Sequence, residues 1–405
     1  MTGQRADTSR YASRRFLWGS GSRRRLVAWP PKSLAVVILT VALSATNGPT
    51  LASEWQIVGA DTTVNAGASS LRPADVRATA QSIAEVLTPA EDFAGERDGI
   101  GVTGFAADRV TGNHAFFALS RATDAARGGD VIRCPLEGGA CTLEFLAETA
   151  GVPDGVGVSA VGAEVTDGVQ RLLVSFDTSF QLDEQVYRPA DLARFDGSNL
   201  SMALSHTQSG AQPFWNLTAA ARRPDGSWNL AFGNGGAIEG LQFFTSDVLI
   251  APSDGSVNAR QVRLRSSDLS WEHAGVAAWD RLTTGRVRFA SLAPAINPGQ
   301  TQVVLTVERV GGVESRIELD FTTVDGTAVA GTDYQAASGT LVWEHDENGP
   351  RDIPVTILNT DGSADDRDFE LRLSRSSTWS LIGNPNAVTL NIPNEDTLFN
   401  DGFEG

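Results

Sequence analysis

Lysine is almost missing from this sequence of 405 residues: Lys32 is the only one. If the N-terminal segment that holds it is cleaved, the rest of the chain has none. That excludes phosphate binding of the Walker-A type, Schiff-base chemistry and lysine-bound cofactors together. Histidine is also scarce. His114, His206, His273 and His345 are isolated, and no His-Glu-x-x-His or His-x-x-x-His spacing supports a zinc hydrolase. No Gly-x-Ser-x-Gly elbow occurs, and the two cysteines, Cys134 and Cys141, are better read as a pair than as nucleophiles. Long apolar runs are absent as well. The strongest, Leu34–Leu43, falls well short of the roughly 20 residues a membrane span needs.

Acid is what the sequence has in excess. The formal net charge of −17 conceals a split, because residues 1–53 hold seven Arg and Lys32 against the single acid Asp7. That segment carries +7 and the remainder −24. An acidic remainder argues against nucleic acid or an anionic membrane as main partner, since polyanions are bound through clustered Lys and Arg. In residues 1–53, Arg14–Arg15 and Arg23–Arg25 precede the apolar run, and small residues follow at Ala42-Leu-Ser44 and Thr50-Leu-Ala52. Basic, apolar and small residues in that order read as a secretory signal peptide. The expectation is a secreted, periplasmic or cell-surface protein with no transmembrane segment in the mature chain.

Cys134 and Cys141 bracket Pro135-Leu-Glu-Gly-Gly-Ala140 between two β-like runs. Facing each other across a hairpin in an exported chain, they are expected to form a disulfide. No nearby histidine makes a zinc site of them, and a redox pair is usually Cys-x-x-Cys.

Residues 54–291 show little helical periodicity. Short apolar runs alternate with Gly, Asp, Asn and Pro clusters, the pattern of an all-β region. The runs recur. Asp75, Asp130, Asp191 and Asp247 occupy one slot at intervals of 55, 61 and 56 residues. Each is followed by a pair of strands around a short turn: 101–106 with 115–120, 157–161 with 172–176, 215–219 with 228–232, and 275–279 with 285–289. A unit of this size, with about four strands, suits a propeller blade, and neighbouring units must stack to bury both faces. Glu54–Val58 is expected to close the ring with the last unit. The aspartates could line a central channel, but an Asp before a strand more simply accepts backbone hydrogen bonds in a turn.

From Leu292 the strands lengthen and alternate regularly, as in Gln302–Arg309, Arg316–Thr322 and Asp368–Ser374. This reads as an immunoglobulin-like β-sandwich. The wording Arg309-Val-Gly-Gly312, Thr323-Val-Asp-Gly-Thr-Ala328, Ala330-Gly-Thr-Asp-Tyr334 and Phe369-Glu-Leu-Arg-Leu-Ser374 resembles a Calx-beta domain over residues 292–396. That is the module of sodium–calcium exchangers and of many bacterial surface proteins. The resemblance implies Ca²⁺ sites at one end of the sandwich, with Asp333 matching the first ligand and Glu395 and Asp396 the last group. The middle turn departs, because Asn359-Thr360-Asp361 stands where the family has consecutive aspartates. Asp361, Asp365, Asp366 and Asp368 offer replacements if the loop repacks, while Arg367 would oppose a cation directly. Two readings stay open: weak Ca²⁺ binding, or a spacer sandwich with a relic site.

The tail 397–405 ends in Phe399-Asn-Asp-Gly-Phe-Glu404, a short motif similar to endings of exported bacterial proteins. The functional expectation is a non-enzymatic interaction or adhesion protein whose partner is a protein or glycan at the cell surface. The rival is a glycan-binding or glycan-active enzyme built on the repeat region, with Trp215, Trp228, Trp271 or Trp279 stacking on sugars. Converging acids and an exposed Trp in a channel would favour the rival, and a plugged channel would oppose it.

Overall fold

The computed structural model describes residues 101–393 except 123–125, 138, 224, 239, 246, 254–260, 265–275, 292–293 and 359–365. It also describes strand backbones between 55 and 87. The chain is nearly all β. Four antiparallel sheets of four strands occupy residues 55–282. In chain order along three of them, the strands are Val102–Ala107, His114–Leu119, Val131–Pro135 and Thr142–Phe145; then Val158–Thr166, Val169–Phe176, Leu192–Phe195 and Leu200–Leu204; then Leu217–Arg222, Trp228–Phe232, Val248–Ala251 and Gln261–Leu264. The fourth sheet is composite. Val276–Leu282 pairs with Trp55–Ala60, which continues into Val76–Ala80 and Ile83–Leu87. The N-terminal strand therefore completes the last sheet.

The leading strands lie side by side in a closed circuit. Val102–Ala107 packs on Val158–Thr166, that strand on Leu217–Arg222, that on Val276–Leu282, and that on Val102–Ala107 again. Four strands meeting at one axis leave little room for side chains. Gly104 and Gly162 answer this need, since a Cβ on them would lie 2.4 Å from the Val161 nitrogen and 2.0 Å from the Ala220 oxygen. Around them Ala106, Ala160, Ala163, Ala219, Ala220 and Ala221 are buried.

The irregularities repeat with the strands. Each leading strand carries a β-bulge at its second residue, so that Thr103, Ser159, Thr218 and Ala277 are extra residues opposite their partner strands. The recurring aspartates repeat too. Oδ2 of Asp130, Asp191 and Asp247 accepts from the N–H three residues earlier, on Arg127, Arg188 and Phe244, at 2.8, 2.9 and 3.0 Å. Oδ1 of the first two reaches past the outermost strand to the N–H of Ala147 at 2.9 Å and of His206 at 2.6 Å. The carbonyl two residues before these two aspartates accepts from the next sheet, Gly128 from Val158 N–H and Pro189 from Leu217 N–H. The aspartates thus close turns, and their turns tie neighbouring sheets. Asp75 lies outside the described residues.

One expected pairing fails. Arg286–Phe289 does not pair with Val276–Leu282. It pairs with Gln302–Val310, which continues to Arg351–Thr356 as one sheet of the sandwich. The ring obtains that strand from the N-terminus, and the sandwich begins before Leu292. Its second sheet has the order Ser338–Trp343, Ile317–Asp325, Arg367–Arg375, Ala387–Ile392. Val303, Leu305 and Val307 share a core with Leu319, Trp343, Phe369, Leu371 and Leu390.

Ring and sandwich share buried surface. Trp379 and Leu381 of the sandwich join Phe105, Phe117 and Leu282 in one apolar cluster. Cys134 and Cys141 belong to the same cluster and form a disulfide across their hairpin.

Candidate functional site

At the sandwich end implied to bind calcium, the Gly331–Tyr334 turn follows Ile317–Asp325. Gly331 has φ +84°, a left-handed position that glycine adopts without strain. Asp333 is buried by this turn. Its Oδ2 accepts the Val329 N–H at 2.8 Å, and its Oδ1 accepts the guanidinium of Arg367. Both carboxylate oxygens are therefore used within the protein. Asp366 is exposed, and Asp361, Asp365, Glu395 and Asp396 lie outside the described residues. Among the described residues no group of three or more His, Cys, Asp or Glu could hold a metal ion. Calcium prefers six to eight oxygens, several of them from carboxylates. The described residues do not fit it, because the one buried carboxylate already faces a fixed cation.

The same turn carries a second charged contact. Tyr334 stacks on Phe369 with ring centroids 4.0 Å apart, and its hydroxyl donates to Asp325. Burial and then this hydrogen bond push the Tyr334 phenol up to about 12. The Tyr334 hydroxyl, followed by the Ala330 amide, holds the Asp325 carboxyl below the usual carboxylate range.

Between ring and sandwich lies a cavity of about 760 Å³ bounded by charged side chains, among them Arg171, Arg222 and Arg223 of the ring and Glu314, His345 and Asp346 of the sandwich. At its wall, buried Arg109 donates to Glu314 at 2.8 Å and to Asp280. Asp280 Oδ2 also accepts the Ala107 N–H at 2.8 Å. Burial alone would lower the Arg109 pKa, and Asp280 and Glu314 more than offset it, so the net shift is upward. Nearby, Glu164 takes Arg194 and Arg222. Arg309 reaches the carbonyls of Thr284, Glu314, Ser315, Glu344 and Glu347. Burial, opposed by Glu347, Asp346 and Glu314, lowers its pKa to about 10. These groups answer one another's charge and fasten two bodies. Sequence reasoning missed them. The available signal was an acid stranded in an apolar strand, Glu164 within Val158–Thr166 and Asp280 within Val276–Leu282.

Of the tryptophans considered for sugar stacking, Trp215 and Trp228 are buried, Trp215 against Phe232 and Phe243. Trp271 and the Trp279 side chain lie outside what is described. Outside the strands of that sheet, Phe214 and Phe244 are 69% and 61% exposed. At the opposite end of the ring from the charged cavity, a second cavity of about 670 Å³ opens at the bulged ends of the leading strands.

Comparison with known proteins places one family on this chain. Residues 282–396 match the Calx-beta domain, a start that agrees with the strand Arg286–Phe289 lying in the sandwich. Sodium/calcium exchanger 1 of Bos taurus and of Rattus norvegicus are 32% and 31% identical over 112 residues. The match covers 23% of this chain and 11% of each exchanger, so the chain spans about a tenth of the length of these relatives. Among solved structures, the apo-form Calx CBD1 domain is 23% identical, covers 26% of this chain and 93% of that chain, and has a TM-score of 0.25. The extracellular domain of a one component system from B. thetaiotaomicron is 8% identical, covers 82% of this chain and 61% of that chain, and has a TM-score of 0.23.

Proposed function

From the premise that residues 282–396 form a Calx-beta domain, we propose that this is an exported, non-enzymatic interaction protein. In this reading the four-sheet ring is a four-bladed propeller that presents the binding surface at the cell surface or in the surrounding matrix, toward a protein or glycan partner. The Calx-beta sandwich is its rigid mount. The observation that carries the reading is the joint: Arg109, Asp280 and Glu314 are paired and buried where the two regions meet. A sandwich fixed in this way holds the ring at a set angle.

Export is supported by the basic and apolar order of residues 1–53 and by the disulfide. Among the described residues no helix is long and apolar enough to cross a membrane. Calcium has at most a weak place in this reading, because Arg367 already neutralises Asp333. The glycan-active rival loses support from buried Trp215 and Trp228.

Fractionation of cells producing the full chain tests the proposal. The expected result is protein outside the cytoplasm with Cys134 and Cys141 unreactive to alkylation until reduced. Retention in the cytoplasm with free thiols overturns it.

A further inference from the structure

The pairs that fasten ring to sandwich do not use all the positive charge of the cavity beside them. Glu164, near the end of the leading strand Val158–Thr166, has a side chain only 4% exposed. Arg194 donates to both of its carboxylate oxygens, and Arg222 donates to Oε2 at 3.5 Å. Arg171 stands directly across the strand pair from Glu164, yet among the described residues its guanidinium has no ion pair or hydrogen bond. Three guanidinium groups therefore share the neighbourhood of one carboxylate. A fourth, Arg223, has only the exposed Asp225 beside it, at 3.5 Å. All four arginines line the cavity of about 760 Å³. They are within reach of solvent: the side chains of Arg194, Arg222 and Arg223 are 30%, 34% and 23% exposed, and Arg171 is half-buried. The other acids of the lining do not balance them. Glu314 is held by Arg109 and by the Thr283 N–H at 2.6 Å, and Asp167 and Asp346 are exposed, where water and salt screen their charge.

Like charges gathered in a cleft, partly withdrawn from water, are costly unless an opposite charge joins them. We propose that this cavity binds a small oxyanion, the phosphate, sulfate or carboxylate group of a ligand. The chemistry selects that class. A guanidinium offers only donors, in a planar fork that fits two oxygens of one anionic group, so the ligand must accept and must be negative. Two of the forks are already fixed in place. Arg194 is held by its two bonds to Glu164, and Arg222 lies 4.8 Å from the centre of the buried Trp228 ring. Little ordering is left to be done when an anion arrives. The ligand is small because the chain beyond residue 53 carries −24 and repels long polyanions, while a cavity of this volume suits a single small molecule. The inference goes beyond the interaction reading, since it makes the joint itself a binding site. A failure here leaves export and the rigid mount untouched.

The test titrates the full secreted chain with inorganic phosphate, sulfate and glucuronate, with chloride holding the ionic strength constant, read by calorimetry and by Tm. At least one of the three is expected to give saturable binding and a rise in Tm. Phosphate or sulfate without glucuronate marks a tetrahedral group, and glucuronate alone marks a carboxylate ligand. Arg171→Gln should weaken binding about tenfold or more. Because Arg171 has no ion pair to lose, this variant should keep the native Tm without ligand. Arg223→Gln provides a second, independent loss of affinity should the first variant fold poorly. Arg121→Gln, an exposed position at the opposite end of the ring, should leave binding unchanged. Silence of all three anions at about 10 mM, or binding indifferent to both Arg171→Gln and Arg223→Gln, overturns the proposal. So does an equal loss in Arg121→Gln, since that would make the attraction a diffuse effect of net charge.

Discussion

In the sandwich, exposure alternates along a strand, while in the ring the inner strands are buried along most of their length. Ala387–Ile392 runs exposed, buried, exposed to its end, and Trp228–Phe232 is buried at all five positions. The sandwich has one dry face per sheet, so period-2 patterning survives in its sequence. A ring sheet packs against a neighbour on each face, and its inner strands need apolar or small residues along most of their length. The same contrast extends to charge. The ring meets the sandwich through buried, paired groups, whereas the Asp333 end of the sandwich sets one Arg against one Asp beside an exposed acid.

The largest effect is expected at the joint. Arg109→Ala removes the buried cation that Asp280 and Glu314 share, at a cost of about 3–5 kcal/mol. Urea unfolding should show ring and sandwich losing stability together; a sandwich transition that stays in place would separate the two bodies. Next comes the ring's close packing. Gly162→Ala forces a methyl against the Ala220 carbonyl and should cost about 1–3 kcal/mol. Gly299→Ala is the matched control, since no atom lies within 4 Å of its Cβ and only the strain of φ +75° opposes it. Breaking the hairpin staple with Cys134→Ser and Cys141→Ser should cost about 2–2.5 kcal/mol in the chain-entropy view of so short a loop. Thermal unfolding compares both.

Smaller effects sharpen the sandwich side. Millimolar calcium should not move the Tm of the native chain. Arg367→Ser should be less stable without calcium, and a gain of Tm on adding calcium would show that Arg367 occupies the place of a cation. The pH dependence should be the slightest. Asp325 has a folded pKa below its unfolded value. Its stabilisation is present above about pH 4 and is lost as pH falls through the folded value. Tyr334 is raised to about 12, so its contribution holds below about pH 10 and is lost as pH rises toward 12. Asp325→Asn should flatten the acid limb of a Tm–pH curve.

The sandwich was legible because alternation and turn wording are local. Arg367 could be read as hostile to a cation from its place beside Asp366, and the structure adds that it has taken Asp333 for itself. The ring was legible as repeats, through aspartates whose turn chemistry is local. Its closure depends on Trp55–Ala60 meeting Val276–Leu282 across more than 200 residues. The strand Arg286–Phe289 was assigned to the wrong region for that reason. Its sequence suits either sheet, and only the competition with the N-terminal strand decides between them. The bulges left no mark in periodicity, since an extra residue in a wholly buried strand changes no alternation.

The sequence by itself determined that Lys32 is the only lysine, that the four histidines have no metal-binding spacing and that no apolar run reaches the length of a membrane span. It also determined the all-β class, the paired cysteines and the Calx-beta wording, all of which follow from composition or from residues close in the chain. The tertiary structure decided which strand closes the ring, that Arg109 is buried between two acids from distant segments, and that three bulged residues line one cavity. Those outcomes depend on packing between segments far apart in the chain, where the energy of a residue is set by neighbours that its own stretch of sequence does not contain.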